Sequence, residues 1–129
     1  MENMTWFNSL NKPFLAPPDW VFAPVWIILY IMIAISFFVF LKSNSEKKKT
    51  VPLIFFFLQL LLNFAWSPIF FNMQNILGAL IVIIFMWIFI LVTIILFLRH
   101  SKLSAILLIP YLIWVSFAFY LNFGYYVLN

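Results

Sequence analysis

The 129-residue chain has no cysteine, one histidine, two glycines and only three acidic residues. Without cysteine there are no disulfides, no thiolate metal ligands and no thiol nucleophile. The single histidine, His100, stands beside Arg99 in a polar break. Neither a metal centre nor a Ser-His-Asp set can be assembled from it, so no metal site is expected. Charged residues make up 8% of the chain, against about a quarter in an ordinary soluble domain.

Apolar residues fill the space that these absences leave. The chain is 67% hydrophobic and 22% aromatic, with 18 Phe, 6 Trp and 5 Tyr. A soluble domain of this length cannot hide that much apolar surface, whereas lipid tails solvate it. Four apolar runs occupy residues 21–41, 51–71, 76–98 and 103–128. Each is long enough to cross a bilayer, which takes roughly 20 helical residues. None alternates like a barrel strand, and hydrocarbon offers an open backbone no partner. The expected fold class is all-α: a single domain, 1–129, forming an integral membrane bundle of four transmembrane helices. Pro24 and Pro52 fall in first turns, where the missing N–H costs little. Pro68 is expected to kink or end the second span, and Pro110 lies inside the fourth. Residues 1–20 show no cleavable signal, so the first span is expected to act as the insertion signal.

The charges alternate between loops. Lys42, Lys47, Lys48 and Lys49 lie between the first and second runs, and Arg99 and Lys102 between the third and fourth. The other loop and the tail carry no basic residue. The net charge of +4 therefore reads as membrane orientation, not as affinity for nucleic acid. The positive-inside rule places loops 42–50 and 99–102 in the cytoplasm and both termini outside, in what is expected to be a prokaryotic plasma membrane. Residues 5–20 are aromatic, rich in proline and too interrupted to span. They read as an interfacial loop or short helix over the bundle mouth, with Trp6 and Trp20 at headgroup depth.

No Asp, Glu, Lys, Arg or His lies within residues 21–41, 51–71, 76–98 or 103–128. Proton-coupled antiport and charged ion relays need such groups, so both are disfavoured. The polar residues inside the spans are neutral. Gln59 and Asn63 share one helix face, and Asn122 lies about two turns beyond Ser116. Two roles are open to Asn63 and Asn122: hydrogen bonds between helices, or orientation of a polar group in a ligand cavity. Trp26, Trp66, Trp87 and Trp114 also lie in spans. Trp26 and Trp66 suit a belt position near the interface, whereas Trp114 is well inside. A pocket walled by such rings suits a flat, hydrophobic, conjugated ligand.

Three blocks carry a resemblance. The first is Lys12-Pro13, Pro17-Pro18-Asp19-Trp20-Val21-Phe22 and Pro24-Val25-Trp26, continuing to Leu29-Tyr30. The second runs from Leu62-Asn63-Phe64-Ala65-Trp66 through Ser67-Pro68-Ile69-Phe70-Phe71. The third is Pro110-Tyr111-Leu112-Ile113-Trp114, with Phe117-Ala118 and Leu121-Asn122. In order and spacing, from residue 6 to the end, the chain resembles the tryptophan-rich sensory protein family, which includes the mitochondrial translocator protein. The resemblance implies a pocket in one half of the bundle that binds porphyrins such as protoporphyrin IX, haem-type tetrapyrroles and synthetic isoquinolines, with no resident cofactor. Residues matching that pocket are Trp26, Asn63, Trp66, Trp114, Ala118 and Leu121, with Pro17 and Pro18 in the lid. Trp26 and Trp114 match two tryptophans that some bacterial members use in light-dependent porphyrin breakdown.

The family has five spans, and this chain starts where the second would begin, so its four spans are expected to be the second to fifth. Leu15 stands where the family often has Trp. Tyr125 and Tyr126 lack the following basic residue of the cholesterol-recognition pattern, so cholesterol binding is not implied. The resulting expectation is a membrane receptor or carrier for tetrapyrroles, in stress sensing or porphyrin transport. The alternatives are a porphyrin-photodegrading protein and a small structural subunit. The bilayer, a porphyrin or haem-like ligand and a second copy of the chain in a homodimer are the expected partners.

Overall fold

A computed structural model describes residues 4–44 and 48–129. Lys47 of the expected basic loop, and Glu2, lie outside the described residues. The elements are α1 (Met4–Ser9), a 3-10 turn (Asp19–Val21), α2 (Phe22–Leu41), α3 (Thr50–Ser67), a π-helical turn (Pro68–Asn72), α4 (Ile76–Leu98) and α5 (Lys102–Leu128). Four helices among the described residues are long and apolar enough to cross a membrane: α2, α3 with its π turn, α4 and α5. At 1.5 Å per residue, the 20 residues of α2 match a hydrocarbon core about 30 Å thick.

Local chemistry sets the helix ends. Asn75 caps α4, its Oδ1 accepting the Gly78 N–H at 2.8 Å. Ser101 caps α5, its Oγ accepting the Ser104 N–H at 3.2 Å. Pro68 ends the regular hydrogen bonding of α3, as expected, because proline offers no N–H to the preceding turn. The chain does not leave the helix there but widens, and the Met73 N–H reaches back five residues to the Pro68 carbonyl at 2.9 Å. α5 runs through Pro110 unbroken.

In space, α2 packs along α5, α5 along α4 and α4 along α3. Long side chains connect α2 to α3. Near the lysine-rich end these are phenylalanines. Phe37 stacks on Phe56 at 5.0 Å, Phe56 on Phe97 at 5.8 Å, and Phe97 on Phe40 at 4.0 Å. This ladder ties α2, α3 and α4 together. Beside it, Ser36 and Ser104 exchange hydrogen bonds across the α2–α5 seam. Each hydroxyl donates to the other residue's carbonyl, at 2.7 and 2.8 Å.

Halfway along the bundle a neutral polar network replaces the ladder. The Tyr30 hydroxyl donates to Asn63 Oδ1. Asn63 Nδ2 donates to the Tyr111 hydroxyl at 2.7 Å, and that hydroxyl donates to Gln59 Oε1 at 2.7 Å. Asn63, Tyr111 and Gln59 are buried.

At the opposite end from the lysine-rich loop, residues 4–21 fold over the bundle. α1 lays Phe7 among Phe22, Phe70, Phe71 and Tyr125, with ring centroids 5.1–6.0 Å away. Trp6 packs edge-on against Phe70, whereas Trp20 is exposed. The following segment is fastened to the end of α5. The Asn11 N–H donates to Asn129 Oδ1 at 3.1 Å, and Asn129 Nδ2 donates to the Asn11 carbonyl at 3.1 Å. Asn11 Nδ2 also reaches the Leu128 carbonyl, and the Tyr120 hydroxyl donates to the Phe14 carbonyl. Gly124 permits this approach, since a Cβ there would come within 2.5 Å of Pro13.

The Ser36–Ser104 pair gives a direct test of how these helices are held. Ser36→Ala should cost about 0.6–1.7 kcal/mol, the range for hydrogen bonds between membrane helices. Unfolding with SDS in mixed micelles measures it.

Candidate functional site

Helical spacing collects one set of side chains beneath the lid. On α5, Trp114, Ala118, Leu121, Asn122 and Tyr125 recur at intervals that keep them on one face. On α3 and its π turn, Asn63, Trp66 and Phe70 do the same. The widened turn buries the adjacent rings of Phe70 and Phe71 together. α2 supplies Phe22 and Trp26, and α4 supplies Ile83 and Met86. Together with Phe7, these residues enclose one cavity.

The walls are aromatic. Trp26 and Trp114 meet edge to face, with centroids 6.5 Å apart and planes at 88°. Phe22 approaches Trp114 at 6.0 Å, and Trp66 stacks on Phe70 at 5.1 Å. Among the described residues, no Asp, Glu, Lys, Arg or His lines the cavity. Its polarity comes from two amides and the indole N–H groups. Trp66 Nε1 donates to Asn122 Oδ1 at 2.9 Å, and Asn122 Nδ2 donates to the Ile76 carbonyl at 3.1 Å. Asn63 belongs to the tyrosine network that forms the floor. Trp114 differs: its indole nitrogen is buried and has no hydrogen-bond partner among the described residues. A buried donor left in that state costs about 1–3 kcal/mol.

The cavity is small. Its volume is about 40 Å³, enough for a few waters, whereas sites for drug-sized ligands run to about 300–1,000 Å³. Phe7, 4% exposed, lines it from α1.

Six residues singled out in the sequence, Trp26, Asn63, Trp66, Trp114, Ala118 and Leu121, come together around this cavity. Pro17 and Pro18 do not line it; the Pro18 carbonyl accepts the Val21 N–H at 3.1 Å and leads the chain into α2. Trp26 and Trp66 turn inward from their place near the helix ends, and do not form the lipid-facing belt suggested by their depth. Asn63 and Asn122 bond between helices, the first of the roles left open for them, and also line the cavity. Trp87 takes no part. Its indole donates to the Ser116 hydroxyl at 2.8 Å on the outer face of α4 and α5. Phe7, Phe70, Phe71 and Tyr125 were not singled out. Pro68 just ahead of Phe70-Phe71 was the available signal for two of them; Phe7 carried none, being one phenylalanine among 18.

Comparison with known proteins covers nearly the whole chain. The sequence profile of the TspO/MBR family matches residues 1–128. The tryptophan-rich protein TspO of Chlorobaculum tepidum is 46% identical over 125 residues, covering 96% of this chain and 79% of that protein. The protein of the same name from Archaeoglobus fulgidus is 43% identical, covering 97% of this chain and 80% of its own length. The human translocator protein is 36% identical over 124 residues, covering 95% and 73%. With four apolar helices of spanning length around a tryptophan-lined cavity, and with these relatives, the chain is an integral membrane protein that belongs to the TspO/MBR family.

Proposed function

We propose that the cavity binds a flat, hydrophobic, conjugated ligand of the porphyrin class, and that the protein acts as a membrane receptor or carrier for it in stress sensing or porphyrin transport. One observation carries this reading: the unpartnered Trp114 N–H in a cavity otherwise walled by rings. Rings supply dispersion and edge contacts to a conjugated macrocycle. The lone donor gives an acceptor atom on the ligand, a carbonyl or carboxylate oxygen, a place to bind. A ligand that satisfies it removes the cost of leaving the donor unpaired. The sensory and translocator names of the relatives agree with a role of this kind. On the positive-inside rule, the lysine-rich loops face the cytoplasm of a prokaryotic cell and the lid faces outward.

Protoporphyrin IX titrated against tryptophan fluorescence in detergent micelles tests the reading. Saturable quenching is expected. Trp114→Phe keeps a ring and removes the donor, and should weaken binding about tenfold, the worth of one buried hydrogen bond. A wild-type protein that shows no saturable quenching overturns the proposal.

The contact between Trp26 and Trp114 favours a second reading, light-dependent porphyrin degradation. Two indoles 6.5 Å apart on one cavity wall are placed to react with a sensitiser bound against them. Illuminating the bound complex and following porphyrin absorbance tests this. Decay should slow in both Trp26→Phe and Trp114→Phe; equal decay in all three proteins makes the chain a bystander.

A further inference from the structure

The lysine-rich end of the bundle gathers charge that the cavity does not use. Residues 42–49 and 99–102 hold six basic residues and one acidic, Glu46, which lies outside the described residues. The two loops are separated in sequence by the whole of α3 and α4, yet they meet at one ring. Phe40 is fully buried. His100 packs edge-on against it at 5.1 Å, and the Lys49 ammonium lies 5.6 Å from its centroid. The hydrogen bonds exchanged by Ser36 and Ser104 hold the end of α2 alongside the start of α5. We propose that this end of the bundle binds the headgroup of an anionic phospholipid, with Lys49 as the fixed contact and Arg99 and Lys102 adding attraction from the neighbouring loop.

Lys49 is already ordered. Its ammonium donates to the Leu41 carbonyl and to the Ser43 carbonyl, each at 2.9 Å. Leu41 ends α2, where the helix dipole is negative and holds a cation. An ammonium has three N–H groups, so one is left for a ligand. The ordering that a free lysine undergoes on binding has taken place in the fold. Lys48, Arg99 and Lys102 are exposed, and the only acidic residue among those described, Asp19, is in the 3-10 turn at the opposite end. Nothing described at this end neutralises these charges, so an anion has no competitor for them.

The apolar surface beside the cations selects a lipid over a soluble anion. Leu41 precedes Lys42, Leu98 precedes Arg99 and Leu103 follows Lys102. All three leucines are exposed, at the ends of α2, α4 and α5. A phospholipid meets both surfaces at once, its phosphate on the cations and its acyl chains on the leucines, whereas a free phosphate meets only the cations. The cations also stand where the spans end, at headgroup depth, and basic residues there are drawn to anionic lipid. The other end of the bundle offers no equivalent, since Lys12 is its one basic side chain and shares its segment with Asp19. The site does not depend on what the cavity binds.

Native mass spectrometry of the full chain, released from micelles with added lipid, tests the site. Dioleoyl phosphatidylglycerol should be retained roughly tenfold more tightly than dioleoyl phosphatidylcholine, which has the same tails and phosphate but no net charge. Arg99→Gln and Lys102→Gln, both at exposed positions, should each weaken phosphatidylglycerol about fivefold, the worth of one basic residue near an anionic surface. Lys49→Met keeps the stem, removes the ammonium and should weaken it further. Lys12→Gln, at the other end, should change nothing, and excess inorganic phosphate should not displace the lipid. Equal retention of the two lipids by the parent overturns the site, as does a loss in Lys12→Gln as large as in Arg99→Gln and Lys102→Gln. Displacement by inorganic phosphate overturns a lipid as the occupant. Unchanged affinity in Lys49→Met overturns Lys49 as the fixed contact.

Discussion

An amide buried in a bundle that lipid surrounds has no water to fall back on. Asn63 meets that constraint by engaging both ends of its side chain, accepting from Tyr30 on α2 and donating to Tyr111 on α5. Apolar packing alone sets helix register poorly in lipid, because a leucine is nearly as well solvated by acyl chains as by another helix. Moving α2 or α5 along its axis would strand a hydroxyl and an amide in hydrocarbon. This joint fixes the heights of three helices at one level and so sets the depth of the cavity floor.

Two different kinds of packing meet at that level. On the lysine-rich side the rings stack nearly parallel and close together, as in Phe40 on Phe97 at 4.0 Å and 5°. On the lid side most rings meet edge to face or at intermediate tilts, at 5–6.5 Å, around a residual space. The base is closely stacked, and the upper half keeps the residual space. The π turn after Pro68 belongs to the upper half, where it buries two consecutive phenylalanines in a way that a regular α-turn does not.

The four spans were legible in the sequence because hydropathy over about 20 residues is a strong signal and charge alternation checks it. Ile76–Leu98 matches its apolar run at both ends, and the others differ by a residue or so, or by the π turn. Trp26, Asn63, Trp66, Trp114, Ala118 and Leu121 were also legible as a group, through their fit to a family pattern. Phe7 and the contacts of Asn11 with Asn129 were not. They join positions 118 residues apart, and no local periodicity carries information over that distance. The inward turn of Trp26 and Trp66 was legible only through that family pattern, because depth in a membrane constrains where a residue sits along the normal, but not which way it faces.

The neutrality of the spans has an electrical consequence. A unit charge carried across a membrane potential of 100 mV exchanges about 2.3 kcal/mol with the field. Residues 21–41, 51–71, 76–98 and 103–128 contain no Asp, Glu, Lys, Arg or His, so the field finds almost nothing within the bundle to pull on. The hydrogen bonds that fasten Asn11 to Asn129 join neutral groups as well, and the charges nearest them, Lys12 and Asp19, lie outside the spans. The packing of the spans is therefore nearly indifferent to voltage, and an energised and a de-energised membrane hold the same bundle. Any response of the protein to the potential must come from charges outside these spans.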